Sequence, residues 1–170
     1  TVVMLIAIAA DLHDNLANWQ KFKEYSKKQG IDTLLFCGDL CNRDTLKKIA
    51  TDWKGKIFMI AGNQELYNQA ETKTLPSISF LNRYGVIEIN NLKIGLIHEP
   101  EYEKRITREN KGLNYLFYGH THKHWFVRKN DIIIANPGKL GGVFYKASFA
   151  VLDTDTGLSL IHTSEPTRQY

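Results

Sequence analysis

The segment GHTHKHW (119–125) places three histidines within five residues, directly after the apolar run YLFY (115–118). Imidazole titrates close to physiological pH and is a common neutral metal ligand, so the cluster raises acid–base or metal chemistry. Comparable side chains follow four other apolar runs. Asp11 and His13 follow VVMLIAIAA (2–10), Asp39 follows IDTLLFC and Gly38, Asn63 follows KIFMIA and Gly62, and His98 ends the run at 92–97. A lone D-x-H or G-D is weak evidence, because such a dipeptide after a strand usually marks only a turn. Seven ligand-type side chains at five strand ends, Asp11, His13, Asp39, Asn63, His98, His120 and His122, point to one site. His124 and His162 fall outside the set and read as surface or packing residues.

Converging these groups requires strands that run the same way, with loops meeting at their carboxyl ends. VVMLIAIAA is aliphatic without alternation, as in a strand buried on both faces. DNLANWQKFKEYSKKQG (14–30) predicts a helix with Leu16, Trp19 and Phe22 on one side, Asp14 or Asn15 as N-cap and Gly30 as the stop. IDTLLFC (31–37) is a second strand. DTLKKIATDW sets Leu46, Ile49, Ala50 and Trp53 at the spacing of an amphipathic helix, and KIFMIA (56–61) is a third strand. The early β-α-β-α-β order favours parallel pairing with right-handed crossovers.

From Glu65 to Arg83 the pattern is less readable and Pro76 interrupts it. GVIEINNLKIGLI reads as a hairpin turning at Asn90-Asn91. After a polar, charged stretch (99–114), further strands are expected at 115–118, 131–136, 147–153 and 158–163, and short connections suggest antiparallel additions. In extended backbone, residues i and i+2 point the same way, so Asp11 and His13 could reach one ion, as could His120 and His122 in a tight turn. Gly38, Gly62 and Gly119 would let the backbone approach that site closely.

With 170 residues, 43% hydrophobic and 24% charged, the chain has enough material for one soluble domain with a sizeable core. The net charge of +4 comes from scattered Lys and Arg, which argues against a nucleic-acid stripe. No run approaches the ~18 apolar residues of a membrane span, and the apolar start lacks the basic flank of a signal peptide. Cys37 and Cys41 have the wrong spacing for a zinc knuckle or a dithiol redox pair and read as small, buried or half-buried thiols in a reducing, cytoplasmic setting.

In order and spacing, D-L-H (11–13), G-D (38–39), G-N (62–63), His98 and G-H-T-H (119–122), with NPG at 136–138, resemble the calcineurin-like metallophosphoesterase superfamily, and within it the short YfcE-type phosphodiesterases. The resemblance implies a four-layer α/β/β/α sandwich of two mixed β-sheets flanked by helices. It implies two divalent ions, one held by Asp11, His13 and His122, the other by Asn63, His98 and His120, with Asp39 bridging. Asp39, Asn63 and His98 would then be the catalytic residues. Such a pair of ions polarises a phosphoryl oxygen and acidifies a bridging water to hydroxide, so no Ser or Cys nucleophile is needed. The mixed oxygen and imidazole set suits Mn, Fe, Co, Ni or Zn, Mn being favoured, better than Ca or Mg. A small phosphodiester is the expected substrate, with no membrane or stable nucleic-acid partner and with homo-oligomers open. A rival reading is a non-catalytic scaffold of the same fold, like the retromer subunit of this superfamily.

Two positions depart from the family pattern. Many relatives carry His after G-N, where this chain has Gln64, which donates a hydrogen bond but no proton at neutral pH. Many follow the strand-end histidine with Gly, where this chain has Glu99-Pro100; that carboxylate is expected to point to solvent. Residues 1–163 are expected to form a single domain, with 164–170 set apart as a disordered or non-native tail.

Overall fold

The computed structural model describes residues 2–142 and 144–162. The expected tail and Thr163 lie outside the described residues, as does the side chain of His162.

The first half alternates as expected: β1 (Leu5–Ala9), α1 (Leu16–Lys28), β2 (Thr33–Phe36), α2 (Arg43–Asp52) and β3 (Lys56–Met59). After a four-residue helix, α3 (Gln69–Thr72), come β4 (Ile78–Phe80), β5 (Tyr84–Ile89) and β6 (Leu92–Ile97). Pro100–Tyr102 is a 3-10 turn leading into α4 (Glu103–Glu109), followed by β7 (Tyr115–Phe117), β8 (Trp125–Lys129), β9 (Ile132–Asn136), β10 (Ser148–Asp153) and β11 (Gly157–His162).

Two mixed sheets result, of order β11-β10-β1-β2-β3-β4 and β5-β6-β7-β9-β8. Pairing is parallel from β1 through β4 and antiparallel where β10 and β11 join the first sheet. The β5/β6 hairpin turns at Asn90 and Asn91, both left-handed. In the second sheet the expectation of antiparallel additions is only partly met, because β6, β7 and β9 run parallel. Their connections pass through α4 and through β8, elements absent from the sequence reading. α4 has seven residues and one buried side chain, Ile106, too little for a visible helical stripe. β8 is an edge strand exposed at all five positions, so it shows no alternation of apolar and polar residues.

Three apolar layers separate the four structural ones, and strand alternation explains them. Ala7, Ala9, Leu34 and Phe36 face outward under Trp19, Phe22, Leu46 and Ile49 of α1 and α2. Ile6, Ile8 and Leu35 face the other way and meet Ile94, Leu96 and Phe117 between the sheets. Ile97, Leu116 and Ile134 cover the far face of the second sheet together with Ile106. Leu16 departs from expectation: it is 38% exposed, because it is the first residue of α1, where the turn swings past the core. Asn15, not Asp14, caps that helix, its side chain accepting from the Asn18 amide. Asp14 instead accepts from the Asn42 amide (2.9 Å) and the Thr45 hydroxyl (2.6 Å), so it caps α2 from across the site.

Candidate metal centre

All seven candidate residues lie just beyond the carboxyl ends of β1, β2, β3, β6 and β7. His122 Nε2 lies 3.4 Å from Asp11 Oδ1, and His13 Nε2 lies 3.7 Å from the same oxygen. Asn63 Oδ1 stands 3.0 Å from His98 Nε2 and 3.1 Å from His120 Nδ1. Between these groups sits Asp39, whose Oδ2 is 3.3 Å from His98 Nε2 and 3.7 Å from His13 Nε2. Ligand atoms of Asp11, His13 and His122 all lie within 4.8 Å of one another, and so do those of Asp11, Asp39 and His98.

The local backbone differs from the extended geometry expected for D-x-H. Asp11, His13, Asp39, His120 and His122 all have left-handed φ, between 46° and 65°. Each ligand pair converges because the chain turns sharply at both members, and cross-loop bonds hold those turns. Asp11 N donates to Gly38 O (3.0 Å), His13 N to Asp39 O (3.1 Å) and Gly141 N to Asp11 O (2.9 Å). The close approach expected at the glycines holds. A Cβ at Gly62 would overlap Asp39 Oδ1, and one at Gly119 would come within 2.8 Å of Asp11 Oδ2.

Burial makes the site's charge demanding. Asp11 is 0% exposed and Asp39 2%, and Asp11 Oδ1 and His13 Nε2 are buried with no hydrogen-bond partner among the described residues. Two buried carboxylates among imidazole nitrogens, with orphaned acceptors aimed inward, fit cations and little else. Burial alone would raise the pKa of both carboxyls. The His122 and His13 side chains outweigh it at Asp11, and His98 with the Gln64 amide outweighs it at Asp39, so both are held below the usual carboxylate range. His98 is pushed up despite its burial, through Asp39 and Asp11. His98 Nδ1 lies 2.7 Å from Cys37 O; a carbonyl only accepts, so Nδ1 carries the proton and Nε2 is free to face the site as a ligand.

Several positioning residues were not legible beforehand. Glu65 accepts from the amides of Asp39 (2.8 Å), Cys41 (3.0 Å) and Gly62 (3.1 Å), closing the β2 loop onto the β3 loop. The signal was an acid two residues past Asn63, facing a loop whose left-handed turns at Gly38, Asp39 and Cys41 aim successive amides at one anion. Asn136 of NPG donates to Gly119 O and Thr121 Oγ1, both at 2.9 Å, and so fixes the GHTH loop. Glu99 does not point to solvent. It is 7% exposed and its Oε1 accepts from Arg83 at 2.5 Å. Cys37 and Cys41 are free and buried as expected; Cys41 Sγ lies 3.5 Å from His13 Nδ1, and burial pushes its thiol up to about 12. Gln64 and His124 are exposed.

Residues 4–157 match the calcineurin-like phosphoesterase superfamily domain. The chain belongs to that superfamily. It is 26% identical over 157 residues to the phosphodiesterase MJ0936 of Methanocaldococcus jannaschii, covering 89% of this chain and 94% of the relative. A solved structure of an archaeal phosphodiesterase superposes with a TM-score of 0.84 at 23% identity, over 94% of this chain and 99% of that one. Vacuolar protein sorting 29 from Cryptosporidium parvum shares the fold more loosely, with a TM-score of 0.68 at 19% identity over 95% and 97% of the two chains. Among the described residues no helix is long and apolar enough to cross a membrane.

Proposed function

We propose that the chain is a two-metal phosphodiesterase acting on small phosphodiesters. The observation that carries this reading is the position of Asp39 Oδ2 between His13 Nε2 and His98 Nε2, with a ligand cluster on either side. Asp11, His13 and His122 would hold one cation; Asn63, His98 and His120 the other; Asp39 would serve both. Two bound divalent transition ions, Mn foremost, would supply a hydroxide nucleophile near neutral pH and neutralise charge developing on the phosphoryl oxygens.

The chain's own residues do the rest. His98 is fixed in one tautomer by Cys37 O, Asp39 is pinned through Oδ1 by the Gln64 amide at 2.8 Å, and the exposed Gln64 side chain stands where it can donate a hydrogen bond but no proton. Leaving groups that depart without protonation are therefore favoured. The scaffold alternative has the looser likeness to vacuolar protein sorting 29 behind it, yet gives no reason for an intact set built around buried Asp11, Asp39 and His98.

Asp39→Asn tests the proposal. The variant should keep its fold, lose metal after saturation with Mn²⁺ and lose turnover of bis-p-nitrophenyl phosphate by ~10²-fold or more. A parent that takes up less than one transition metal per chain, or a variant with near-parental metal content and turnover, would sink it.

A further inference from the structure

Arg83 lies where the chain crosses from the first sheet to the second. The segment after β4 continues along β3, Leu81 N donating to Met59 O and Ala61 N to Asn82 O, before β5 opens the other sheet. From this crossover the guanidinium reaches both sides. One nitrogen donates to Gly62 O at 3.0 Å, the other to Glu99 Oε1 at 2.5 Å. Gly62 directly precedes Asn63, and Glu99 directly follows His98. The loops so joined belong to different sheets, and their ligands meet at 3.0 Å, Asn63 Oδ1 to His98 Nε2.

We infer that the Arg83–Glu99 pair is a positioning clamp for the Asn63, His98 and His120 half of the site, setting the distance between its two loops and hence that half's affinity for a cation. The inference rests on the two-metal reading above. Glu99 itself is not a ligand in this scheme, because its Oε1 is committed to Arg83. Its Oε2 is buried without a partner among the described residues, so the carboxylate depends on the guanidinium for its compensation. The opposite half has its own ties, through Asp14 and Gly141, and neither involves Arg83, while Asn136 holds the GHTH loop that the two halves share. The clamp therefore acts on one half only. A planar fork is needed to span two acceptors, and an ammonium group of equal charge cannot replace it.

The test separates fork geometry from charge. Mn²⁺ is titrated calorimetrically into the metal-free full chain. Arg83→Lys should weaken one of two binding events about tenfold or more, the size of effect usual for groups that orient ligands, and leave the other within about twofold. Glu99→Gln keeps an oxygen acceptor for Arg83 and should leave both events within about threefold of the parent. Equal weakening of both events, no weakening, or a Glu99→Gln loss matching that of Arg83→Lys would overturn the clamp. A second measurement needs no metal. In the metal-free protein, Arg83→Lys should speed amide exchange at Ala61, Gly62 and Tyr102 but not at His13 or Gly141. Should the parent bind no Mn²⁺, the two-metal reading fails, and this exchange pattern alone decides whether the clamp exists; uniform exchange changes, or none, would refute it.

Discussion

Gly62→Ala is a single added methyl aimed at the carboxylate of Asp39, the proposed bridge. The new Cβ would overlap Asp39 Oδ1 and stand 2.5 Å from the Asp39 amide nitrogen and 2.8 Å from Cγ, all well inside contact distance. Gly62 does not have left-handed φ, so Ala is allowed there by its backbone and the effect is steric. Asp39 cannot yield freely. Its amide is held by Glu65 at 2.8 Å and its Oδ1 by the Gln64 amide at 2.8 Å, so relief means a shift of about 1 Å that breaks one of these bonds and moves Oδ2 from between His13 and His98. A displacement of that size can cost ~10²-fold in turnover. The accompanying overpacking should cost only about 1–3 kcal/mol, leaving the protein folded. Gly119→Ala meets Asp11 Oδ2 at 2.8 Å and Ala10 Cβ at 2.9 Å, a milder clash that should give a smaller loss. The assay is turnover of bis-p-nitrophenyl phosphate and bound Mn²⁺ for both variants, alongside urea unfolding. Parental turnover in Gly62→Ala, or a larger loss in Gly119→Ala, would refute the bridging role that the close approach is taken to serve.

Gln64→His should raise turnover of an alkyl phosphodiester well above any gain on the p-nitrophenyl diester, because general acid catalysis, typically ~10²-fold or more, matters most for a poor leaving group; equal effects on both would show that position 64 does not face the leaving group. Asp52→Ala should cost about 1–3 kcal/mol in urea unfolding by stripping the acceptor from the buried Trp19 indole (3.1 Å), with metal uptake unchanged. Burial would raise the Asp52 pKa, but Trp19, Lys48 and Lys23 hold it below the ordinary carboxylate value. Its stabilisation is therefore present above that ordinary value and fades as the pH falls through the lower folded one, so Asp52→Asn should flatten the acid limb of the stability curve. An unchanged acid limb would remove Asp52 from the account.

The convergence of the seven candidate side chains was legible because they recur at the ends of five largely apolar runs. Any one of them could mark only a turn, and it is their recurrence at one edge of the strands that points to a site. The three apolar layers were legible in part, since Leu34/Phe36 and Leu35 alternate in burial target while remaining apolar throughout. β8 and α4 were not, because an edge strand exposed at every position and a seven-residue helix around Ile106 carry no periodicity to find. Arg83 and Glu65 were hidden for another reason. Arg83 meets Gly62 O and the Glu99 carboxylate across two sheets, and Glu65 gathers amides from the β2 and β3 loops, contacts between distant segments that form only once the strands have packed.

The backbone of the ligand loops shows where local reading must fail. Five of the seven candidate ligands occupy the left-handed region, which costs of order 1 kcal/mol or more per residue for a side chain other than Gly. The turn at H-T-H was expected, but nothing in Asp11-Leu-His13 announces one, so D-L-H reads as extended in sequence. The strain persists because each turn is over-determined: Asp11 by Gly38 O and Gly141 N, His13 by Asp39 O, Asp39 by Glu65, and the GHTH loop by Asn136. Asn63 and His98 are the exceptions, neither being left-handed, and theirs is the pair of loops that Arg83 ties together. The candidate ligand loops are thus held in two ways, by strained turns locked through hydrogen bonds at Asp11, His13, Asp39 and the GHTH loop, and by a side-chain fork joining the Asn63 and His98 loops. The two halves should accordingly differ in how a single substitution propagates, a Gly-to-Ala change acting through sterics across the bridge and an Arg-to-Lys change acting on one half alone.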